Sequence, residues 1–286
     1  MNATRVLPIV ECQFGLDGGA MFGIVPKPLW ERTNPADDKN RIAMATRCLY
    51  LEFGDRKVLV DAGMGDKWSE KETGIYALRH PEGTLKEQLT AHGVDPDGIT
   101  DVLITHLHFD HVGGLTTAGT DGPRPTFPRA RHWVQRENWA WANGPSVRDA
   151  GSYRKENFLP LIGPDGVDLR LTDGHCSPFA GIEFIVSRGH TPGMQLVKFE
   201  VDGVTVVHVA DLIPTSGHVP VPYVMGYDVY PLTTCTEKAE FLSNVVRNDW
   251  VIALEHDPDH AYMRVEREPN GRFRVAARSN DLASLR

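Results

Sequence analysis

The chain has 286 residues, is 41% hydrophobic and 24% charged, and carries a formal net charge of −8. This length suits one large globular domain spanning 1–286, with 1–45 read as an N-terminal extension or loop region ahead of the core. The acidic balance excludes a general attraction to nucleic acid, and no apolar stretch reaches bilayer-spanning length. Cys12, Cys48, Cys176 and Cys235 are too scattered for a disulfide framework or a thiolate metal site. Scattered thiols, and an N-terminus (Met1 to Gly19) without a long apolar run, lead us to expect a cytoplasmic protein with no membrane partner.

In chain order, the first notable segment is Asp17-Gly18-Gly19-Ala20-Met21-Phe22-Gly23-Ile24-Val25-Pro26, glycine-rich and apolar. Thr46 to Phe53 and Lys57 to Asp61 alternate or run apolar and predict an antiparallel pair turned at Gly54-Asp55. Leu85 to His92 reads as a short helix stopped by Gly93, and Asp101 to Thr105 as a short buried strand. Pro123, Pro125 and Pro128 mark an irregular connection. Trp133 to Trp141 and Tyr153 to Leu159 read as partly helical. Leu169 to Leu171, Ile182 to Val186, Met194 to Val201 and Val204 to Val209 predict a second strand set. His218 to Pro231 is a loop carrying Tyr223, Met225, Tyr227 and Tyr230. Thr236 to Val246 is the clearest amphipathic helix, with Ala239, Leu242, Val245 and Val246 at helical spacing. Val251 to Leu254 and two short strands around Met263 and Phe273 close the chain. Arg124, Arg129, Arg131 and Arg136 could make a basic patch, although a solvated surface accounts for them more simply.

The densest chemistry lies in Thr105 to Gly114, T-H-L-H-F-D-H-V-G-G, where His106, His108, Asp110 and His111 fall within six residues of a strand end. Three further candidates follow strands in the same way: His190 after Ile182 to Val186, Asp211 after Val204 to Val209, and His256 after Val251 to Leu254. Imidazole and carboxylate donors without thiolate suit zinc, and also iron, manganese or cobalt. Neither a G-x-S-x-G elbow nor a Walker loop is present, so a serine nucleophile and a phosphate loop have no support.

These residues resemble the metallo-β-lactamase-fold hydrolases, whose signature is H-x-H-x-D-H followed by His, Asp and His in that order. Leu59-Val60-Asp61-Ala62-Gly63 is similar to the strand-Asp-x-Gly element of that family, so the likeness runs from about Thr46 past His256. The resemblance implies an α/β (α+β) four-layer αβ/βα sandwich. It implies that His106, His108 and His190 hold one divalent ion, that Asp110, His111 and His256 hold a second, and that Asp211 bridges them. A water shared by two such ions, roughly 3.5–4 Å apart, becomes a nucleophile near neutral pH, with Asp110 as the catalytic group that orients it and passes a proton to the leaving group. Asp61 would support the ligands through hydrogen bonds, or equally initiate the turn before Gly63.

D-G-G-A-M-F-G and M-G-Y-D-x-Y-P-L-T-T resemble the quorum-quenching N-acyl homoserine lactonase branch. That likeness implies a small-molecule lactone or ester substrate and pairing of two copies through the glycine-rich segment. Enzymes of this class often carry a Tyr soon after the bridging Asp; here Pro214 stands three residues on. Tyr223 and His218 are candidates to replace that Tyr, Phe109 is a candidate for the pocket wall, and Met21 and Phe22 of the glycine-rich loop are further candidate substrate contacts, while the two loops could equally bury themselves or form a dimer contact. An arylesterase or phosphotriesterase is the nearest alternative. A persulfide dioxygenase with one iron is an alternative of another class, for which Asp110, His111 and His256 would be unnecessary as ligands. A thioesterase of the glyoxalase II type would add a basic helical tail, and a flavodiiron protein would place Glu where His108 stands. A β-CASP nuclease would need a large insertion between Asp211 and His256.

Overall fold

Along Arg41–Phe53 successive side chains face opposite ways: Leu49 and Leu51 enter one buried layer, Cys48 and Tyr50 another. The same alternation sends Val58 and Val60 to the first of these layers and Leu59 to the second. In the computed structural model, which describes residues 1–286, this two-sided burial builds two six-stranded sheets. The first runs, edge to edge, Arg5–Asp17, Arg41–Phe53, Arg56–Val60, Asp101–Leu103, Arg131–Gln135 and Asp168–Thr172. The second runs Phe273–Ser279, Tyr262–Arg267, Val251–Ala253, Val204–His208, Met194–Val201 and Ile182–Ser187.

The sheets share the layer made by Leu49, Leu51, Val58 and Val60 from one and Phe184, Val197, Phe199 and Val206 from the other. Outside the first sheet, Leu85 and Leu89 of the helix Leu85–Ala91 pack on Ile9, Tyr50 and Val102. Outside the second, Phe241, Leu242 and Val245 of the helix Pro231–Asn248 cover Leu196, Val207 and Ile252. The result is the four-layer αβ/βα sandwich. No helix is long and apolar enough to cross a membrane.

Four local expectations are corrected. The extension 1–45 contains a thirteen-residue strand, Arg5–Asp17, antiparallel to Arg41–Phe53, followed by the short helices Gly18–Phe22 and Lys27–Trp30. Leu169 to Leu171 belongs to the first sheet, parallel to Arg131–Gln135, and not with the later strands. Trp133 lies in a strand, and the helix begins only at Arg136. The amphipathic helix starts at Pro231, whose fixed φ and missing N–H suit the first helical position.

Parallel pairing of Arg56–Val60, Asp101–Leu103 and Arg131–Gln135, and of Val204–His208 with Val251–Ala253, brings several strand carboxyl ends to one rim. Rims of this kind are where open α/β sheets place ligands.

Candidate metal centre

Two strand ends turn sharply at that rim. Asp61 (φ 55°) and Ala210 (φ 42°) are both in the left-handed region although neither is glycine, a conformation retained when its surroundings compensate. The glycines closing the histidine motif answer a packing demand: a Cβ on Gly113 would overlap the Met64 carbonyl, and one on Gly114 the Ala62 carbonyl. The loop carrying Asp61 and the loop carrying His111 can therefore touch, with Ala62 N–H donating to His111 O at 2.8 Å.

The seven sequence-predicted donors converge in two groups. In the first, His108 Nδ1 lies 3.0 Å from His106 Nε2 and 3.0 Å from His190 Nε2, and Asp211 Oδ2 lies 3.0 Å from His190 Nε2 and 3.7 Å from His106 Nε2. In the second, His256 Nε2 lies 3.2 Å from His111 Nε2 and 3.7 Å from Asp110 Oδ2, with Asp211 Oδ1 2.9 Å away. Tetrahedral zinc with bonds of about 2.0–2.1 Å has ligand–ligand edges of about 3.3 Å, so these spacings match the edges of coordination polyhedra. Asp211 Oδ1 is buried and, although 2.9 Å from His256 Nε2, makes no aligned hydrogen bond. Donor chemistry, spacing and this orphaned oxygen fit a pair of divalent ions sharing Asp211.

Outer partners fix the rings. His190 Nδ1 pairs with Asp228 Oδ1 at 2.9 Å, His256 Nδ1 with the Ala45 carbonyl at 2.8 Å, and His106 Nδ1 with Thr105 Oγ1 at 3.1 Å. His111 Nδ1 lies 3.0 Å from Asp61 Oδ2 and 3.0 Å from Glu255 Oε2. Asp61 also accepts from Thr105 N–H at 2.7 Å and Thr105 Oγ1 at 2.6 Å, so it both shapes the turn and supports the ring. Asn138, on the helix Arg136–Asn143, accepts from Leu107 N–H and donates to Pro192 O, both at 2.9 Å, tying the loop of His106 and His108 to that of His190. Gln195 of the second sheet donates to Ile104 O at 2.7 Å and accepts from Gln135 of the first at 2.9 Å.

Burial and the surrounding imidazoles push His106 and His108 well below the usual histidine range, leaving neutral rings with lone pairs free to coordinate. Burial alone would raise the Asp211 carboxyl, but His256, His190 and His111 together hold it well below the carboxylate range. Burial pushes Glu255 up to about 8 against the pull of His111.

The centre forms the floor of a pocket of about 260 Å³. Its apolar wall is Leu16, Met21, Met44, Phe109 and Met225, and Tyr76, Tyr227, Arg148, Gly151 and Ser152 also line it. Of the five candidate substrate contacts, Met21 and Phe109 line this space. Phe22 lies behind it, stacked between Trp30 (5.4 Å between centroids) and His218 (4.1 Å). His218 is fully buried, paired with Met21 O at 2.9 Å and Thr215 Oγ1 at 2.8 Å, and pushed by burial down to about 3. Tyr223 packs edge-on against Phe22 and faces a different cavity. The sequence reading gave no role to Asp228, Glu255, Arg148, Tyr76 or Tyr227. Asp228 and Tyr227 lay in plain view within M-G-Y-D, and Glu255 directly precedes His256.

The sandwich and its rim define the class: the chain belongs to the metallo-beta-lactamase superfamily, whose model matches residues 42–268. A solved structure described as a probable metal-dependent hydrolase from Staphylococcus aureus is 29% identical, with a TM-score of 0.86 over 97% of both chains. The N-acyl homoserine lactonase of Bacillus thuringiensis is 25% identical over 165 residues, 54% of this chain and 58% of that protein. A probable metallo-hydrolase of Mycobacterium tuberculosis is 27% identical over 248 residues, 76% of each chain. The match thus spans less than two thirds of the lactonase's length.

Proposed function

We propose that the protein is a dimetal hydrolase that opens a lactone ring, an N-acyl homoserine lactone or a related one. The observation that carries this reading is the Asp211 carboxylate, set between two imidazole clusters at the floor of an apolar-walled pocket. His106, His108 and His190 would hold one ion, Asp110, His111 and His256 the other, and Asp211 both; zinc suits these donors, as do iron, manganese and cobalt. Two such ions would supply an activated water and polarise the carbonyl under attack.

The chain's own residues do the rest. Asp110, partly open to the pocket, lies 3.7 Å from His256 Nε2 and 3.9 Å from His111 Nε2. From there its carboxylate can orient the attacking water and carry a proton to the ring oxygen as it leaves. Leu16, Met21, Met44 and Met225 give an acyl chain an apolar wall, with methionines that adapt to its shape.

The aromatic group of Phe109, Trp68 (5.4 Å) and Tyr76 (5.5 Å) favours a second reading, an arylesterase or phosphotriesterase with a flat leaving group. The second cluster counts against a one-iron persulfide dioxygenase. The test is to load the protein with metal, count ions per chain, and assay acyl homoserine lactones, aryl esters, a phosphotriester and S-lactoylglutathione. Two ions per chain with rapid lactone opening that is lost on chelation supports the proposal. Hydrolysis of another substrate alone replaces the substrate, and one iron per chain replaces the class.

A further inference from the structure

A second groove adjoins the metal pocket. Leu16, Tyr76 and Tyr227 line both spaces, and beyond them the groove, of about 590 Å³, is bounded by Lys39, Arg41 and Lys71. Three cations in one groove are unexpected in a chain of net charge −8. Arg41 is engaged, its Nε donating to Asp37 Oδ2 at 2.8 Å and its Nη1 to the carbonyls of Gly74 and Ile75. Lys39 and Lys71 make no ion pair: Asp37 is held by Arg41, and Asp17, the only acid lining the groove, is occupied by Ala20 N–H and Asn40 Nδ2, both at 2.8 Å.

The shared wall is as informative as the charge. Tyr227 and Ile75, which line the groove, are 37% and 53% exposed, and Tyr227 also lines the metal pocket. Apolar contact along a chain with a few charged groups at its end is how ligand sites fix both length and orientation. Lys39 and Lys71 are exposed and held by no carboxylate, so an anion entering the groove would find both available.

We infer that this groove is a subsite for an anionic group, a carboxylate by preference, at the far end of the substrate's acyl or alkyl chain. The chain passes between Leu16, Tyr76 and Tyr227, and its terminal anion meets Lys39 and Lys71. This rests on the hydrolase reading above for the position of the reacting end. It adds a substrate class that the metal centre does not specify: lactones or esters whose chain ends in an anion, so that the hydrolysed product is acidic at both ends.

The test is calorimetric titration of the metal-loaded protein with two series of increasing length, straight-chain monocarboxylates and the matching α,ω-dicarboxylates, on wild type and on Lys39→Met/Lys71→Met. The variant keeps the apolar stems and removes the charges. At one chain length the dicarboxylate should bind at least tenfold more tightly than the monocarboxylate. The double variant should erase that advantage and leave monocarboxylate binding unchanged, and added salt should weaken the wild-type advantage. Equal binding of both series at every length, or an advantage that survives in the double variant, overturns the subsite. Lactone turnover is read separately, so a wrong reacting group and a wrong subsite give different results.

Discussion

Asp228 Oδ1 stands 2.9 Å from Nδ1 of His190, and neither residue is more than 2% exposed. The carboxylate fixes which nitrogen carries the proton and turns Nε2 toward His108 and Asp211. Asp228→Ala should weaken metal retention by about 10–100-fold, the usual cost of losing an outer partner. Competition with a chromogenic chelator measures this directly. Wild-type affinity in the variant would show that the ring is held by packing alone.

Asp110 is proposed to serve both the second ion and the proton. Asp110→Asn keeps the shape and removes the charge, so the fold should persist while kcat falls by about 10²–10⁴-fold. Circular dichroism alongside kinetics separates the two effects. A fully active variant rules out the role.

At Gly113 the backbones approach too closely for a side chain. Gly113→Ala should cost about 1–3 kcal/mol through overpacking and displace the loop carrying His111. Urea midpoints supply the first number and metal content the second. An unchanged midpoint would mean that the Met64 loop yields freely.

Lys238 is buried in the helix Pro231–Asn248, and its Nζ donates to Tyr223 O at 2.7 Å and His218 O at 3.1 Å. Burial pushes it down to about 8 from an ordinary value of 10.5. Between these values the unfolded chain binds more protons than the folded one, so stability attributable to this residue rises with pH. Compared with Lys238→Met, the wild type should gain stability from pH 8 to 10.5 and show a constant difference below pH 7. Parallel denaturation profiles for the two proteins would contradict this.

The candidate metal donors are legible in the sequence because coordination restricts residue type and the fold restricts order. His106, His108, Asp110, His111, His190, Asp211 and His256 all follow short apolar strands, and all seven meet. The pocket wall was not legible. Met21 and Phe22 are neighbours on a five-residue helix, yet Met21 lines the pocket and Phe22 is sealed behind it; only tertiary packing separates them. The strand Arg5–Asp17 has no clear sequence signal because Pro8, Gly15 and a register shift between Val10 and Cys12 break its alternation. The sheet membership of Leu169 to Leu171 depends on a partner more than thirty positions earlier in the chain, which no local pattern carries.

Asn138 and Gln195 draw their hydrogen bonds from backbone and amide groups, never from an imidazole Nε2 or the Asp211 carboxylate. The frame that positions His106, His108 and His190 therefore has ties that leave the donor atoms free. A chelator should strip the centre and leave a vacancy of nearly the same shape. One chain could then be refilled in turn with different divalent ions, and differences in rate among them would report on the ion, with the scaffold held constant.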